Sequence, residues 1–333
     1  MFVTSGPWDD PALLTAICGV AGTAAPEGRR VMPPDHDAAA ALAFHAEVHA
    51  AGPVADGAAR RIVPGDTALG GHVFGPGPLS PRWRAIWIEA APEILACRGR
   101  QSAETVRGRL TMIWCRAESR LRAREAPRGS LGGMDRCNLR VHSVETPYAG
   151  FFLTQDYVIS HDLYGGGESD RLHRAVFVMA DAVTVLPYDP GRDRVLVIEQ
   201  VRASPIARGD PFPWLIEPVA GRIDPGDTPE AAARREAMEE ARVTVAALHK
   251  VGEYYPSTGA FSEYLYSYIG IADLPDTAGT LGGLETEGED IRGFVMPRAE
   301  LMARIAAGEV PVGPLILSAF WLEANAARLR AGA

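Results

Sequence analysis

Residues 221–243 read Gly221-Arg-Ile-Asp-Pro-Gly-Asp-Thr-Pro-Glu-Ala-Ala-Ala-Arg-Arg-Glu-Ala-Met-Glu-Glu-Ala-Arg-Val243. Thr228 suits an N-cap, Pro229 suits the first helical position, and Ala231 to Ala233 are strong helix formers. A helix is therefore expected from Thr228 to Arg242. Glu236 and Glu240 are four apart and Glu239 is three from Glu236, so the carboxylates share one face. Like charges at those spacings repel, and a hard divalent cation reverses that penalty because it takes oxygen ligands. Arg235, four before Glu239, steadies one carboxylate. An isolated Glu-x-x-Glu-Glu reads as a solvated acidic face. Four charged positions in one register match by chance only about once in 10⁵, which favours the metal-binding reading.

Outward from this helix, Phe177 to Pro187 and Arg194 to Gln200 are β-branched apolar runs separated by the turn sequence Tyr188-Asp-Pro-Gly-Arg-Asp193, which predicts a hairpin. Ile216 to Ala220 is a strand leading into Gly221. Tyr264 to Ile271 and Ile291 to Met296 are further strands, and helices are expected at Arg298 to Ala307 and Gly313 to Leu329. A central sheet with one inner helix and two C-terminal helices is an α/β sandwich.

The first 125 residues are Ala/Pro/Gly-rich. Phe2-Val3 and His72-Val73-Phe74 read as strand pieces, and Pro11 to Val20 as a helix capped by Asp9-Asp10. Nine arginines lie between Arg98 and Arg128. Thr105 to Ala126 reads as a strand followed by a basic helix, presenting a solvated face or a linker rather than a ligand site. Pro127-Arg-Gly-Ser-Leu-Gly-Gly133 is the best linker. This sets domains at 1–126 and 135–333, joined by 127–134.

Net charge is −9, which argues against a bulk nucleic-acid binder. Lys250 is the only lysine among 33 cationic side chains, a bias better explained by base composition than by phosphate recognition. No apolar run reaches eighteen residues, so no membrane span is expected. The start, MFVTSGPWDDPALL, lacks the basic and apolar regions of a signal peptide, and a cytoplasmic protein is expected. Cys18, Cys97, Cys115 and Cys137 form no CxxC pair and have no zinc-ligand spacing, so reduced and mostly buried thiols are expected.

The stretch resembles the Nudix box, in which glycine is followed at fixed offsets by R-E-U-x-E-E-x-G-U, U being apolar. Gly221, Arg235, Glu236, Glu239, Glu240 and Val243 match. Asp227 replaces the first Glu, Ala237 a larger apolar residue, and Arg242 the helix-ending glycine. That last change is expected to cost on the order of 1 kcal/mol or to alter the helix end, leaving the metal face intact. Further segments resemble the ADP-ribose pyrophosphatase branch: Ala182-Val-Thr-Val-Leu-Pro-Tyr-Asp-Pro190, Val197-Ile-Glu-Gln-Val-Arg202, Trp214-Leu-Ile-Glu-Pro-Val-Ala-Gly221 and Gly282-Gly-Leu-Glu-Thr-Glu-Gly-Glu-Asp-Ile291.

The resemblance implies a Nudix α/β/α sandwich with a mixed sheet. It implies a homodimer and Mg²⁺-dependent hydrolysis of ADP-ribose to AMP and ribose 5-phosphate, with Mn²⁺ as a substitute ion. It assigns Glu236, Glu240, the Ala220 carbonyl and Glu289 to the metal, with Glu239 assisting. It makes Glu287 the base or the residue that orients the attacking water. Arg202 and Arg222 would contact substrate, Ser257 and Glu263 would line the substrate loop, and Arg174 would reach substrate across the dimer. Chemistry agrees, because a pyrophosphate repels hydroxide and needs cations to neutralise it and a carboxylate to handle the proton. Ala175 and Met179 replace the branch's Glu and Arg, which loosens the expected substrate preference. Another nucleoside diphosphate sugar or dinucleotide is the alternative substrate, and a non-catalytic ADP-ribose sensor the alternative class. Residues 1–125 resemble a γ-glutamylcyclotransferase-like (AIG2-like) α+β domain with a small barrel-like sheet, as found in tellurite-resistance-associated Nudix proteins. Thr4-Ser-Gly-Pro-Trp8 replaces that family's substrate loop, so no activity is expected there.

Overall fold

The computed structural model describes residues 1–25, 28–51, 53–56, 59–62, 72, 78–126, 129–274, 281–283 and 288–332. Contacts divide the chain into unit 1, Met1–Ala180 with Asp224–Gly226, and unit 2, Asp181–Ile223 with Asp227–Ala333.

Unit 1 runs β1 (Phe2–Thr4), α1 (Pro11–Cys18), β2 (Thr23–Ala25), β3 (Gly28–Val31), α2 (His36–Val48), β4 (Pro53–Asp56), β5 (Ala59–Ile62), α3 (Pro81–Ala96), α4 (Ala103–Arg107), α5 (Leu110–Glu125), β6 (Leu139–Ala149), β7 (Leu153–His161) and β8 (Leu172–Val178). Asp10 caps α1 by accepting from the Ala12 and Leu13 N–H groups, and Gly19 in the left-handed region ends it. The first sheet is ordered β2-β3-β1-β5-β4, with β1 parallel to β5. Its order is open, with β2 and β4 at the edges. The small barrel-like sheet expected for this half is therefore not closed among the described residues. Of the strand piece His72–Phe74, Val73 and Phe74 lie outside the described residues.

Residues 103–125 hold two helices and no strand, correcting the strand-then-helix reading. Three arginines of α5 pair with carboxylates of α3. Fully buried Arg116 pairs with Glu93 at 2.5 Å, Arg120 and Arg124 pair with Glu89 at 2.7 and 2.6 Å, and Arg82 of α3 returns the contact to Glu118 at 2.8 Å. Within α5 these arginines form an inter-helix ion-pair ladder rather than a merely solvated face. A second sheet, β6-β7-β8, is an antiparallel meander.

Unit 2 runs β9 (Ala182–Asp189), β10 (Arg194–Val201), α6 (Ala203–Arg208), β11 (Trp214–Glu217), β12 (Val219–Arg222), α7 (Pro229–Ala241), β13 (Ala247–Tyr254), β14 (Leu265–Ile271), β15 (Leu281–Gly282), β16 (Ile291–Pro297), α8 (Arg298–Ala306) and α9 (Gly313–Ala331). The expected strand Phe177–Pro187 divides at Met179–Asp181, β8 ending in one sheet and β9 beginning another. The main path is β13-β14-β9-β10-β16-β15, with β11 added on β10 and β12 on β9. Among the described residues of this sheet, only β9 and β14 pair in parallel, which makes it mixed.

Its inner strands are apolar on both faces because both are covered. Val183, Val185, Leu196 and Ile198 meet Ala232, Ala233, Ala237 and Ala241 of α7. Leu186, Tyr188, Val195 and Val197 meet Leu301 of α8 and Leu315, Ala319 and Leu322 of α9. The period-two alternation thus separates two cores, and the α/β/α sandwich is as expected. No described helix is long and apolar enough to cross a membrane.

Candidate active site

Four buried alanines let α7 lie close on the sheet, and this closeness builds the site. Thr228 Oγ1 accepts from the Ala231 N–H at 3.1 Å and sets the helix start. At the other end Arg242 takes φ +56° and ψ 33°, and the Arg242 and Val243 N–H groups close the last turn on Met238 and Ala237 carbonyls. The helix ends as a glycine would end it, at a strain cost of about 1 kcal/mol. The turns that carry Glu236, Glu239 and Glu240 remain regular helix.

Glu236 and Glu240 are 8% and 3% exposed, an unusual burial for two carboxylates one turn apart. Both dock on β12. Glu240 Oε2 accepts from the Ala220 N–H at 2.9 Å. Glu236 lies over Gly221, where a Cβ would come within 2.0 Å of its carboxyl group. A side chain at position 221 would have to displace the Glu236 carboxyl group. Arg235 Nη1 donates to Glu236 Oε1 at 2.7 Å and to Glu239 Oε2 at 3.0 Å, and its Nη2 donates to the Arg222 carbonyl at 3.0 Å. Asp227, the shortened carboxylate arm, still reaches Arg235 at 3.8 Å.

A contact the sequence reading did not foresee ties β15 to the end of α7. A Cβ on Gly282 would come within 1.7 Å of the Glu240 carbonyl oxygen, and the Gly283 N–H donates to the Glu239 carbonyl at 3.2 Å. Paired glycines before an acidic loop were the available signal. Glu289 follows, close enough that its charge acts on Glu240.

Burial, and then the charges of Glu236 and Glu289, push the Glu240 carboxyl up to about 8, against the opposing Ala220 N–H and Arg202. Such a group holds a proton at neutral pH unless a cation replaces it. Among the described residues, no three carboxylate, imidazole or thiol side chains enclose an ion position. The donor set nonetheless fits a hard dication: three carboxylates on one helix face, two of them buried, repelling one another and engaged by one arginine and one N–H.

A second cluster lies on the same unit. Arg202 Nε and Nη2 both meet Glu217 Oε2, each at 2.8 Å. Burial raises the carboxyls of Glu217 and Glu263, while Arg202 opposes both shifts. Glu217 was not assigned a role from sequence, since its pairing with Arg202 depends on strand register. The Ser257 carbonyl accepts from Ala260 and Phe261 in a tight turn. Arg174 is exposed on β8 of unit 1, where it donates to the His173 carbonyl at 2.8 Å. Glu287 lies outside the described residues.

The chain matches the NUDIX domain over residues 178–315. It is 36% identical over 179 residues to a protein of Escherichia coli (strain K12) named ADP-ribose pyrophosphatase, covering 54% of this chain and 85% of that one. The chain belongs to the Nudix family. A Haemophilus influenzae protein of the same name is 31% identical over 195 residues, covering 58% of this chain and 89% of that one. A Citrobacter koseri protein named GDP-mannose pyrophosphatase is 32% identical over 168 residues, covering 50% of this chain and 86% of that one. Within the Nudix box, Gly221 and the α7 carboxylates form the contacts described above, and Arg242 keeps the backbone shape of the glycine it replaces.

Proposed function

We propose that this Nudix protein hydrolyses the pyrophosphate bond of ADP-ribose, with water, to AMP and ribose 5-phosphate, using Mg²⁺ or Mn²⁺. The observation that carries this is Glu240, which lies against the Ala220 N–H and is driven to about 8 by burial and then by neighbouring carboxylates. Such a site gains most when a dication arrives, and a pyrophosphate is the substrate that needs one. The names of the Escherichia coli and Haemophilus influenzae relatives support the substrate.

In this reading the Glu236 and Glu240 carboxylates, the Ala220 carbonyl and Glu289 hold the metal, and Glu239 assists. The ion, when bound, neutralises phosphate charge and acidifies a water. Arg202 and Arg222 bind the diphosphate, and Ser257 and Glu263 line the substrate loop. Glu287 orients the attacking water and takes its proton, and Arg174 serves a neighbouring copy. The GDP-mannose pyrophosphatase relative favours a second substrate reading, as do Ala175 and Met179. Initial rates on ADP-ribose, GDP-mannose and a dinucleoside diphosphate decide: a kcat/KM highest for ADP-ribose supports the proposal, and any other order replaces the substrate.

We further propose a cytoplasmic homodimer. The meander of β6 to β8 exposes Tyr148 (57%) and Phe177 (46%), which both pair with Thr154 and so share one face, a surface suited to a second copy. Light scattering at twice the chain mass supports this, and a monomer refutes it. Residues 1–126 are proposed as a γ-glutamylcyclotransferase-like part without a reaction of its own, joined through 127–134 to 135–333. Supporting this, Trp8 of the altered loop is 1% exposed in the core, and Glu89 is bound by two arginines.

A further inference from the structure

We propose that Glu217 is a positioning residue that folds Arg202 back over the α7 face of the sheet and aims its guanidinium at the substrate diphosphate. The inference rests on the functional reading above.

The register supplies the argument. Glu217 pairs with Ile198 across β10 and β11, and paired residues of an antiparallel ladder share a face. Ile198 is wholly buried in the core beneath α7, so Glu217 lies on the metal side of the sheet. Arg202 follows Ile198 by four residues, just beyond the end of β10, and an even spacing keeps it on that face. Its backbone is extended, and its N–H donates to the Pro213 carbonyl at 2.8 Å. Four residues of strand span roughly 13 Å, so an arginine bonded to Glu217 has to lie back along the sheet instead of reaching into solvent from the strand end.

The bond also sets orientation. One oxygen, Oε2, takes both Nε and Nη2, leaving Nη1 outside that bond. Glu217 is mostly buried, with 12% of its side chain exposed, whereas Arg202 keeps 40%. The carboxylate is thus the fixed partner and the guanidinium the accessible one. A carboxylate beside a phosphate-binding arginine has two opposite possible effects. As a competitor it weakens phosphate binding, and its removal tightens the complex. As a positioning group it strengthens binding, and its removal loosens the complex. The buried two-nitrogen clamp favours the second.

The test uses the full chain as wild type, E217A, E217Q, R202A and the double variant E217A/R202A. Each is assayed on ADP-ribose with Mg²⁺, with Kd for ADP-ribose measured in parallel by calorimetry. E217A and R202A are each expected to raise KM and Kd about 30-fold, the scale of a hydrogen bond to a charged group. E217Q, isosteric and still an acceptor for Nε, is expected to recover most of the loss. The double variant is expected within about 3-fold of R202A, since Glu217 acts only through Arg202. Tighter or unchanged binding by both E217A and E217Q, or losses that multiply in the double variant, overturns the proposal. A wild type that binds ADP-ribose without hydrolysing it overturns the functional reading instead, and the Kd series alone then decides the role of Glu217.

Discussion

Replacing Glu240 by Gln should separate stability from function. The carboxyl group is 3% exposed and its proton affinity is raised from 4.5 to about 8. The sign follows from proton counts. Between 4.5 and 8 the folded site keeps a proton that the unfolded chain has released, so stability falls as pH rises through that window. At about 1.4 kcal/mol per pH unit, the cost at pH 7 is roughly 3 kcal/mol. Glutamine removes the titration and still accepts from the Ala220 N–H, but it buries an amide that needs an acceptor, returning about 1–2 kcal/mol. A net gain of about 1–2 kcal/mol is expected, which for a domain of this size raises Tm by about 3–6 °C. Calorimetry in EDTA at pH 7 measures this. Adding Mg²⁺ should raise the Tm of the wild type and leave E240Q unchanged, with turnover reduced at least about 100-fold. An E240Q variant less stable than wild type in EDTA, or one still stabilised by Mg²⁺, refutes the reasoning.

Three other outcomes follow from local geometry. Arg242→Gly relieves a left-handed residue but loosens the unfolded chain, for a net gain of about 0.5–1 kcal/mol in urea melts; a loss would show that Arg242 is unstrained. Gly282→Ala drives a methyl into the Glu240 carbonyl, where no side chain is free to yield, so a loss of about 1–3 kcal/mol and lowered turnover are expected; wild-type values would contradict the packing of β15 on α7. His45 and His49 are stacked and buried near Trp8 and Trp87, burial lowering both imidazoles and His49 to about 4. The unfolded chain takes up protons near 6.5 that the folded pair refuses, so unit 1 should lose about 3 kcal/mol or more as pH falls from 6.5 to 4. Tryptophan-fluorescence melts that are flat across that range would show the pair is not held neutral.

Local signals explain what was legible. Thr228 and Pro229 mark the start of α7, the alternation of Arg194–Gln200 marks β10, and the spacing of Glu236, Glu239 and Glu240 marks the shared carboxylate face. The left-handed strain at Arg242 was readable from the glycine it replaces. What escaped depends on partners distant in sequence. Arg116, Arg120 and Arg124 of α5 find their carboxylates on α3, at Glu89 and Glu93, a pairing that composition cannot show. Phe177–Pro187 is one apolar run, so nothing local marks the switch between sheets at Met179–Asp181. Glu217 looks like any strand carboxylate until β11 is in register with β10. Gly282 is explained only by the helix end lying against it.

The central claim is tested most directly by following ADP-ribose with the purified chain by phosphorus NMR, first in EDTA and then with excess Mg²⁺. Loss of the diphosphate signal, with AMP and ribose 5-phosphate appearing in equal amounts only after Mg²⁺ is added, is the expected result. A diphosphate that persists with Mg²⁺, or products that form equally well in EDTA, would contradict a metal-dependent pyrophosphatase built on Glu236 and Glu240.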